Sequence, residues 1–396
     1  MLSLDKVFNA QTVLKNIVRE TKLVRAYGIA PDCELYLKPE NLQITGSFKV
    51  RGSAYKIAML TDEEKKKGVI ACSAGNHAQG VALAATKNGI KSLICLPDSA
   101  PISKVEATKG YGAEVCLVEG CYDDAYQKAL ELRDSEGYTF VHPFDDENVI
   151  AGQGTIALEI LNDLDNIDAI VVPIGGGGLI SGIAYTAKQI RPSIKIYGVQ
   201  AAGAPSMYNS VKDGEIERLP SVSTVADGIA VKKPGENTYA LVKEYVDEIA
   251  LVTDDEVSSA ILALIEKQKM IAEGAGAVAV AAVMFGKFNF KNKRVVAVVS
   301  GGNIDVTSLS RVIDRGLLKS GRSSSLLIEL IDKPGQLKEI SRIIDDCGGN
   351  VTGVHYEKGD TESVNGCFLR IEMETRDFEH VNLITKTLRD EGFKLV

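Results

Sequence analysis

The chain has 396 residues, is 45% hydrophobic and 25% charged, and carries a formal net charge of -8. That length and apolar content supply a large core divided among two or three folding units. The acidic balance argues against nucleic acid or an anionic membrane as partner: phosphate binding needs a concentrated basic face, and the 45 Lys and Arg are scattered among 53 acids. Seven cysteines (Cys33, Cys72, Cys95, Cys116, Cys121, Cys347, Cys367) include no Cys-x-x-Cys pair, and several stand in apolar strand-like runs, which reads as reduced, buried thiols. The four histidines (His77, His142, His355, His380) are dispersed, so no metal-ligand spacing occurs. The N-terminus has no basic start followed by an apolar core, and the longest apolar run, near residues 275–285, is too short to span a bilayer; the cytoplasm is the expected location.

Taken in chain order, the first informative stretch is Glu40-Asn-Leu-Gln-Ile-Thr-Gly-Ser-Phe-Lys-Val-Arg-Gly52. Lys49 sits there between Phe48 and Val50 at the start of an apparent helix, with Thr45-Gly46-Ser47 as a chain reversal and helix cap. Short β-branched runs then alternate with helical patterns. Val69–Cys72 precedes a helix from about His77, residues 91–96 precede one near Ile102, and Glu114–Val118 precedes one near Asp123. A second series has strands at 169–172, 195–199 and 294–299 and helices at about 149–164, 179–190 and 254–270. This is the rhythm of a parallel α/β sheet, and two such series imply two lobes with a cleft between them.

Three strand-to-helix junctions carry unusual residues. Ser73-Ala74-Gly75-Asn76-His77 follows the strand at 69–72, and Gly175-Gly176-Gly177-Gly178-Leu179 follows the strand at 169–174. Four backbones without side chains can turn their amides toward one anion at a positive helix end, which suits a phosphate monoester, although a tight turn alone would also use such glycines. A dinucleotide site is disfavoured because the pattern is not Gly-x-Gly-x-x-Gly and the next strand ends in Tyr197-Gly198-Val199-Gln200 without an acid. Ser300-Gly301-Gly302-Asn303 ends the strand at 294–299 in the same manner.

The chain changes character after Lys319-Ser-Gly-Arg-Ser-Ser-Ser325, a small polar stretch that reads as a linker. Beyond it the expected order is strand (326–331), an Asp332-Lys333-Pro334-Gly335 turn, helix (336–347), Gly348-Gly349-Asn350, strands at 351–357 and 364–373, helix (377–391) and a short end strand. That βαββαβ order is ferredoxin-like.

The Ser-Phe-Lys-Val-Arg-Gly stretch around Lys49 closely resembles the Schiff-base segment of fold-type II pyridoxal phosphate enzymes. Together with Ser73-Ala-Gly-Asn-His77 it resembles the threonine dehydratase and serine racemase family over roughly the first four fifths of the chain. The resemblance implies an α/β, two-lobed, tryptophan synthase beta-like catalytic domain over 1–320, with a smaller lobe at about 66–144 inserted in the larger. Residues 321–396, with their Asp-Lys-Pro-Gly turn and Gly-Gly-Asn, resemble an ACT regulatory domain that senses an amino acid; such domains usually pair, so Asp332, Pro334, Gly335 and Asn350 are expected to bind the effector at an interface, and an oligomerisation module without a ligand is the alternative.

The same resemblance implies site roles. Lys49 holds pyridoxal 5'-phosphate and is the base at the substrate α-carbon, with Phe48 beside it. Gly175, Gly176, Gly177, Gly178 and Leu179 hold the phosphate, Asn76 contacts the cofactor 3'-oxygen, and Ser300 faces the pyridine nitrogen as a neutral partner. Ser73, Ala74, Gly75, Asn76 and His77 bind the substrate carboxylate, and His77 reads equally well as a structurally hydrogen-bonded residue. The racemases carry serine where Ala74 stands, so elimination is expected to dominate racemisation. Glu273 and Asp227 match residues near the cofactor, or cap the segments that follow them. Gln200 and Ser206 replace the two carboxylates of the racemases' divalent-cation site, so no such metal is expected, while a monovalent ion held by carbonyls stays open. The expected activity is deaminating dehydration of L-threonine, and of L-serine, in a homodimer or homotetramer that takes a small amino-acid substrate and an amino-acid effector. β-Replacement of the cysteine synthase kind, serine racemisation, and an amino-acid sensor with an inactive catalytic lobe are the alternatives.

Overall fold

The computed structural model describes residues 2–357 and 366–396, and the chain divides into two compact units, Met1–Val306 and Thr307–Val396. In chain order the strands are β1 (Val24–Arg25), β2 (Glu34–Pro39), β3 (Val69–Cys72), β4 (Ser92–Pro97), β5 (Glu114–Val118), β6 (Thr139–Phe140), β7 (Ala169–Pro173), β8 (Lys195–Ala201), β9 (Glu248–Val252), β10 (Arg294–Val299), β11 (Ser323–Ile331), β12 (Asn350–Glu357), β13 (Gly366–Glu374) and β14 (Lys394–Leu395).

Two sheets build the first unit. The larger runs β1-β2-β10-β7-β8-β9 and is parallel except for β1. Its central strands read Arg-Val-Val-Ala-Val-Val and Ala-Ile-Val-Val-Pro, and β7 and all of β10 past Arg294 are buried, as expected for a parallel sheet covered by helices on both faces. The smaller sheet runs β5-β4-β3-β6, all parallel, and its strands lie between residues 69 and 140, inside the sequence gap between β2 and β7. Among the described residues no helix is long and apolar enough to cross a membrane.

Glycine contacts carry the Lys49 helix (Lys49–Ala58) into the interior. A Cβ on Gly52 would meet Val149 O at 2.8 Å, and one on Gly152 would meet Gly52 Cα at 2.7 Å. The Lys49 helix and the helix Glu147–Asp163 therefore cross with backbones almost touching, and any larger residue at either position would drive them apart. Beneath that crossing lies a charged cluster. Arg51 donates to both oxygens of Glu40 at 2.8 Å and to Glu159 at 2.6 and 2.9 Å, and Lys38 donates to Glu159 and to the Thr21 carbonyl. Arg51, Lys38 and Glu40 are at most 1% exposed. Burial opposes ionisation of Glu40, yet Arg51 beside it holds its carboxyl below the usual carboxylate range.

Two expectations for regular structure change. The helical pattern at 254–270 is a helix only over Asp254–Ala263; Leu264–Gln268 widens into a π-turn and Lys269 takes φ +57°, which lets the chain turn back toward Glu273. The polar run at 319–325 is a linker only at its centre: Ser323, Ser324 and Ser325 pair with Glu374, Met373 and Glu372 and begin β11, while Lys319 closes the helix Val306–Lys319.

The second unit is an antiparallel sheet in the order β12-β13-β11-β14, the ferredoxin-like arrangement. Ile328 and Leu330 of β11 and Cys367, Leu369, Ile371 and Met373 of β13 alternate onto one face. There they form a core with Ile340, Ile343 and Ile344 of the helix Gln336–Asp346 and Ile384 and Leu388 of the helix Phe378–Asp390. The strand expected from Val364 is described from Gly366; positions 364 and 365 lie outside the described residues.

Candidate active site

Parallel strands end together, and in open α/β sheets the crevice beyond their carboxyl ends is where ligands bind. The loops 73–77, 175–178 and 300–303 follow β3, β7 and β10 directly, and the Lys49 segment is tied to the last of these. Phe48 N donates to Ser300 O at 3.1 Å, Ser47 forms a β-bridge with Gly301, and Gly302 N donates to Gly46 O at 2.9 Å. This bridge corrects the expected cap. Ser47 is held by its backbone; among the described residues its buried hydroxyl has no partner, and Phe48 occupies the cap position without a side-chain bond.

Lys49 opens its helix half-buried. Its Nζ donates to Pro143 O at 2.9 Å and lies 5.3 Å from the centre of the Phe48 ring. Burial pulls the ammonium down to about 8, against the opposing field of Glu273. An amine so placed is a competent nucleophile and base near neutral pH.

The glycine run is tightly packed. A Cβ on Gly176 would stand 2.4 Å from the Phe144 ring and one on Gly178 2.9 Å from the Phe144 backbone, while Gly177 holds φ +99°. The amides of Gly175, Gly176 and Gly177 have no hydrogen-bond partner among the described residues. They stand at the start of the 13-residue helix Gly178–Ile190, the positive end of its dipole, where Leu179 is buried in the large-sheet core.

In the loop after β3, Gly75 N donates to Ser73 Oγ at 3.2 Å, and Ala74 packs against the core of the first unit. Asn76 Nδ2 donates to Glu273 Oε1 at 2.6 Å, and Asn303 Nδ2 donates to Asn76 Oδ1 at 2.7 Å. His77 is buried: Nε2 meets the Val141 carbonyl at 2.8 Å and Nδ1 meets Ser53 Oγ at 3.4 Å. Burial, with Lys49 adding to it, takes the ring down to about 3, so His77 stays neutral with its Nε2–H on the carbonyl. Ser300 Oγ is buried and donates to Ala275 O at 3.2 Å.

Asp227 lies near enough to Glu273 for its charge to act on that carboxyl. Burial, with Asp227 adding repulsion, pushes the Glu273 carboxyl up to about 7, although Asn76 and Lys104 favour its charge. Lys104 Nζ donates to Asp227 at 2.8 Å. Gln200 Oε1 accepts from Tyr208 N at 2.7 Å, and its Nε2, like Ser206 Oγ, is buried with no partner among the described residues. Among the described residues no group of three or more His, Cys, Asp and Glu is placed to hold a metal ion.

Sequence reasoning passed over the loop His142-Pro143-Phe144-Asp145, which supplies the carbonyl on Lys49 and the ring over the glycines. His142 Nδ1 accepts from Phe144 N at 3.3 Å and Asp145 N at 2.8 Å. The run His-Pro-Phe-Asp-Asp after β6 was the available signal. A pocket of about 570 Å³ lined by Arg25, Asp32, Glu34, Asp168, Lys293 and Arg294 opens at the opposite, amino-terminal ends of β2, β7 and β10 and holds none of these groups.

In the second unit the four expected effector residues do not meet. Asp332, Pro334 and Gly335 follow β11, where Asp332 accepts from Tyr356 Oη at 3.0 Å and Gly335 takes φ +97° at the helix start. Asn350 begins β12 and pairs with Glu374, which pairs with Ser323 at the far end of β11. The parallel course of β11 and β12 separates the two groups by roughly 30 Å within one chain.

Residues 14–301 match the family model described as pyridoxal-phosphate dependent enzyme. The chain belongs to that family. This pyridoxal-phosphate dependent enzyme is 48% identical to an L-threonine ammonia-lyase of Thermotoga maritima over 398 aligned residues, covering 100% of the chain and 99% of the relative. It is similar to the processed form of threonine deaminase isoform 2 from Solanum lycopersicum, with 39% identity and a TM-score of 0.74, over 79% of this chain and 94% of that one. It is also similar to maize serine racemase, with 34% identity and a TM-score of 0.75, over 80% of this chain and 98% of that one.

Its residues suit the cofactor. The amine of Lys49 suits an aldehyde, the unpartnered amides of residues 175–177 suit a phosphate, and the neutral Ser300 hydroxyl adds no fixed charge.

Proposed function

We propose that this enzyme converts L-threonine to 2-oxobutanoate and ammonia, and L-serine to pyruvate and ammonia. The observation that carries the reading is the pair Lys49 and Ala74. Lys49 brings an amine whose pKa, lowered to about 8, makes its free form accessible near neutral pH, and the methyl of Ala74 offers no proton. With a base on one face and no acid on the other, removal of the α-proton leads to loss of the β-substituent more readily than to inversion. The relatives named threonine ammonia-lyase and threonine deaminase support the same reaction.

When bound, the cofactor supplies the electron sink that makes the α-proton acidic. Phe48 and the amides of residues 175–177 would hold it, and Asn76, fixed between Glu273 and Asn303, would supply a polar side chain beside it. The amides and Ser73 hydroxyl of the 73–77 loop hold the substrate carboxylate. Lys49 then takes the α-proton and delivers a proton to the departing β-hydroxyl. One water leaves, an enamine is released, and its hydrolysis takes up one water to give the 2-oxo acid and ammonia.

The C-terminal unit is proposed to be an ACT-like sensor of an amino acid such as isoleucine or valine. Since its candidate residues lie at opposite ends of one sheet, a single effector site would need two copies of the unit, which fits a homodimer or homotetramer in the cytoplasm. The test of the reaction is a panel of purified enzyme with L-threonine, L-serine, and O-acetylserine plus sulfide. The proposal expects 2-oxo acid and ammonia from the first two. D-serine without pyruvate would establish a racemase, cysteine a β-replacement enzyme, and no turnover of any of them an inactive lobe.

A further inference from the structure

The helix Glu236–Tyr245 has no side-chain cap of its own, and its first residue is preceded by Gly235. The missing cap comes from ninety residues away. Asp145 Oδ2 accepts from Glu236 N and Oδ1 from Thr238 N, each at 3.1 Å, so one carboxylate satisfies two of the helix's orphan amides. The fit is close enough that a Cβ on Gly235 would lie 2.3 Å from Asp145 Cγ. Thr238, fixed in this way, has its hydroxyl 2.6 Å from Gly176 O and 3.2 Å from Gly235 O, and its single proton goes to the nearer carbonyl, Gly176 O.

That last bond has a directional consequence. The Gly176 carbonyl and the Gly177 amide share one planar trans peptide unit and point in opposite directions. Anchoring the carbonyl on Thr238 turns the Gly177 N–H away from that helix, and it donates to nothing among the described residues. The loop His142-Pro143-Phe144-Asp145 that carries Asp145 also accepts from the Lys49 amine through Pro143 O, and His142 Nδ1 holds the loop's shape by accepting from Phe144 N and Asp145 N.

We infer that Asp145 is a positioning residue for the cofactor's phosphate, acting through the helix Glu236–Tyr245 and the Thr238 hydroxyl to aim the Gly177 amide, within a loop that braces both ends of the cofactor site. This rests on the assignment of residues 175–178 as the phosphate cradle. A positioning residue for the phosphate affects ligands that carry one and spares ligands that do not.

The experiment titrates full-length protein freed of cofactor with pyridoxal 5'-phosphate and with pyridoxal, which lacks the phosphate, and follows folding by thermal melting. Asp145→Ala should weaken pyridoxal 5'-phosphate about tenfold and leave pyridoxal within about twofold, a change the size of a lost helix cap. Asp145→Asn, which keeps one acceptor oxygen, should fall between. Thr238→Val should reproduce the loss, Thr238→Ser should restore binding, and Asp145→Ala with Thr238→Val should be no worse than either alone. Should the Asp145 variants fail to fold, the Val and Ser substitutions at Thr238 decide. An equal loss for both ligands, or no loss in Thr238→Val, would overturn the inference. If unaltered protein binds pyridoxal as tightly as its phosphate, the cradle assignment itself is wrong.

Discussion

The free amine of Lys49 is the residue on which the chemistry depends, and its state follows from its surroundings. Burial lowers its pKa from 10.5 to about 8, so the unprotonated fraction grows as pH rises through about 8 and saturates above it. Capture of pyridoxal 5'-phosphate by cofactor-free protein should therefore speed up by about tenfold per pH unit below that point and level off beyond it. Stopped-flow absorbance measures this, and a rate still climbing to pH 10 would mean an ordinary solvated lysine. Lys49, the glycine run and Ser300 were legible in sequence because each lies in a short motif at a strand or helix end. Their partners were not. Pro143 meets Lys49 through a backbone carbonyl, which no residue type advertises, and Asp145 acts on amides in a helix ninety positions on. Ser47 departs from expectation for a related reason: a serine before a helix suggests a cap, but its backbone is committed to Gly301.

The element that presents Lys49 is a short helix pinned on two sides. Gly52 and Gly152 let it touch the helix Glu147–Asp163, and Arg51 locks its first turn to Glu40 and Glu159. Removing one partner of such a buried cluster leaves carboxylates without a counter-charge. Arg51→Ala should cost about 3–5 kcal/mol in urea unfolding, and a loss below about 1 kcal/mol would show that water reaches the cluster. The parallel strands were readable as runs of Val and Ile bounded by Gly or Asp, and so were the junctions that follow them. The π-turn at Leu264–Gln268 was not, since its residues continue the apolar period of the preceding helix and only the left-handed Lys269 ends it.

For the whole molecule, the βαββαβ order of the second unit could be read because Pro334-Gly335 and Gly348-Gly349-Asn350 bracket its first helix. The separation of Asp332 from Asn350 follows from the same order, because a strand–helix–strand crossover makes β11 and β12 parallel and puts the end of one and the start of the other at opposite ends of the sheet. Removing residues from 321 onward should abolish any response of turnover to isoleucine or valine while basal turnover persists; initial-rate measurements check this, and a retained response would put the effector site in the first unit. The most direct test of the account is the yield of 2-oxobutanoate and ammonia from L-threonine, measured side by side for unaltered protein and Lys49→Ala. The account predicts equal amounts of both products from the first and a rate lower by about 10²–10⁴-fold or more in the second. Turnover that survives Lys49→Ala, or unaltered protein that yields neither product, would contradict it.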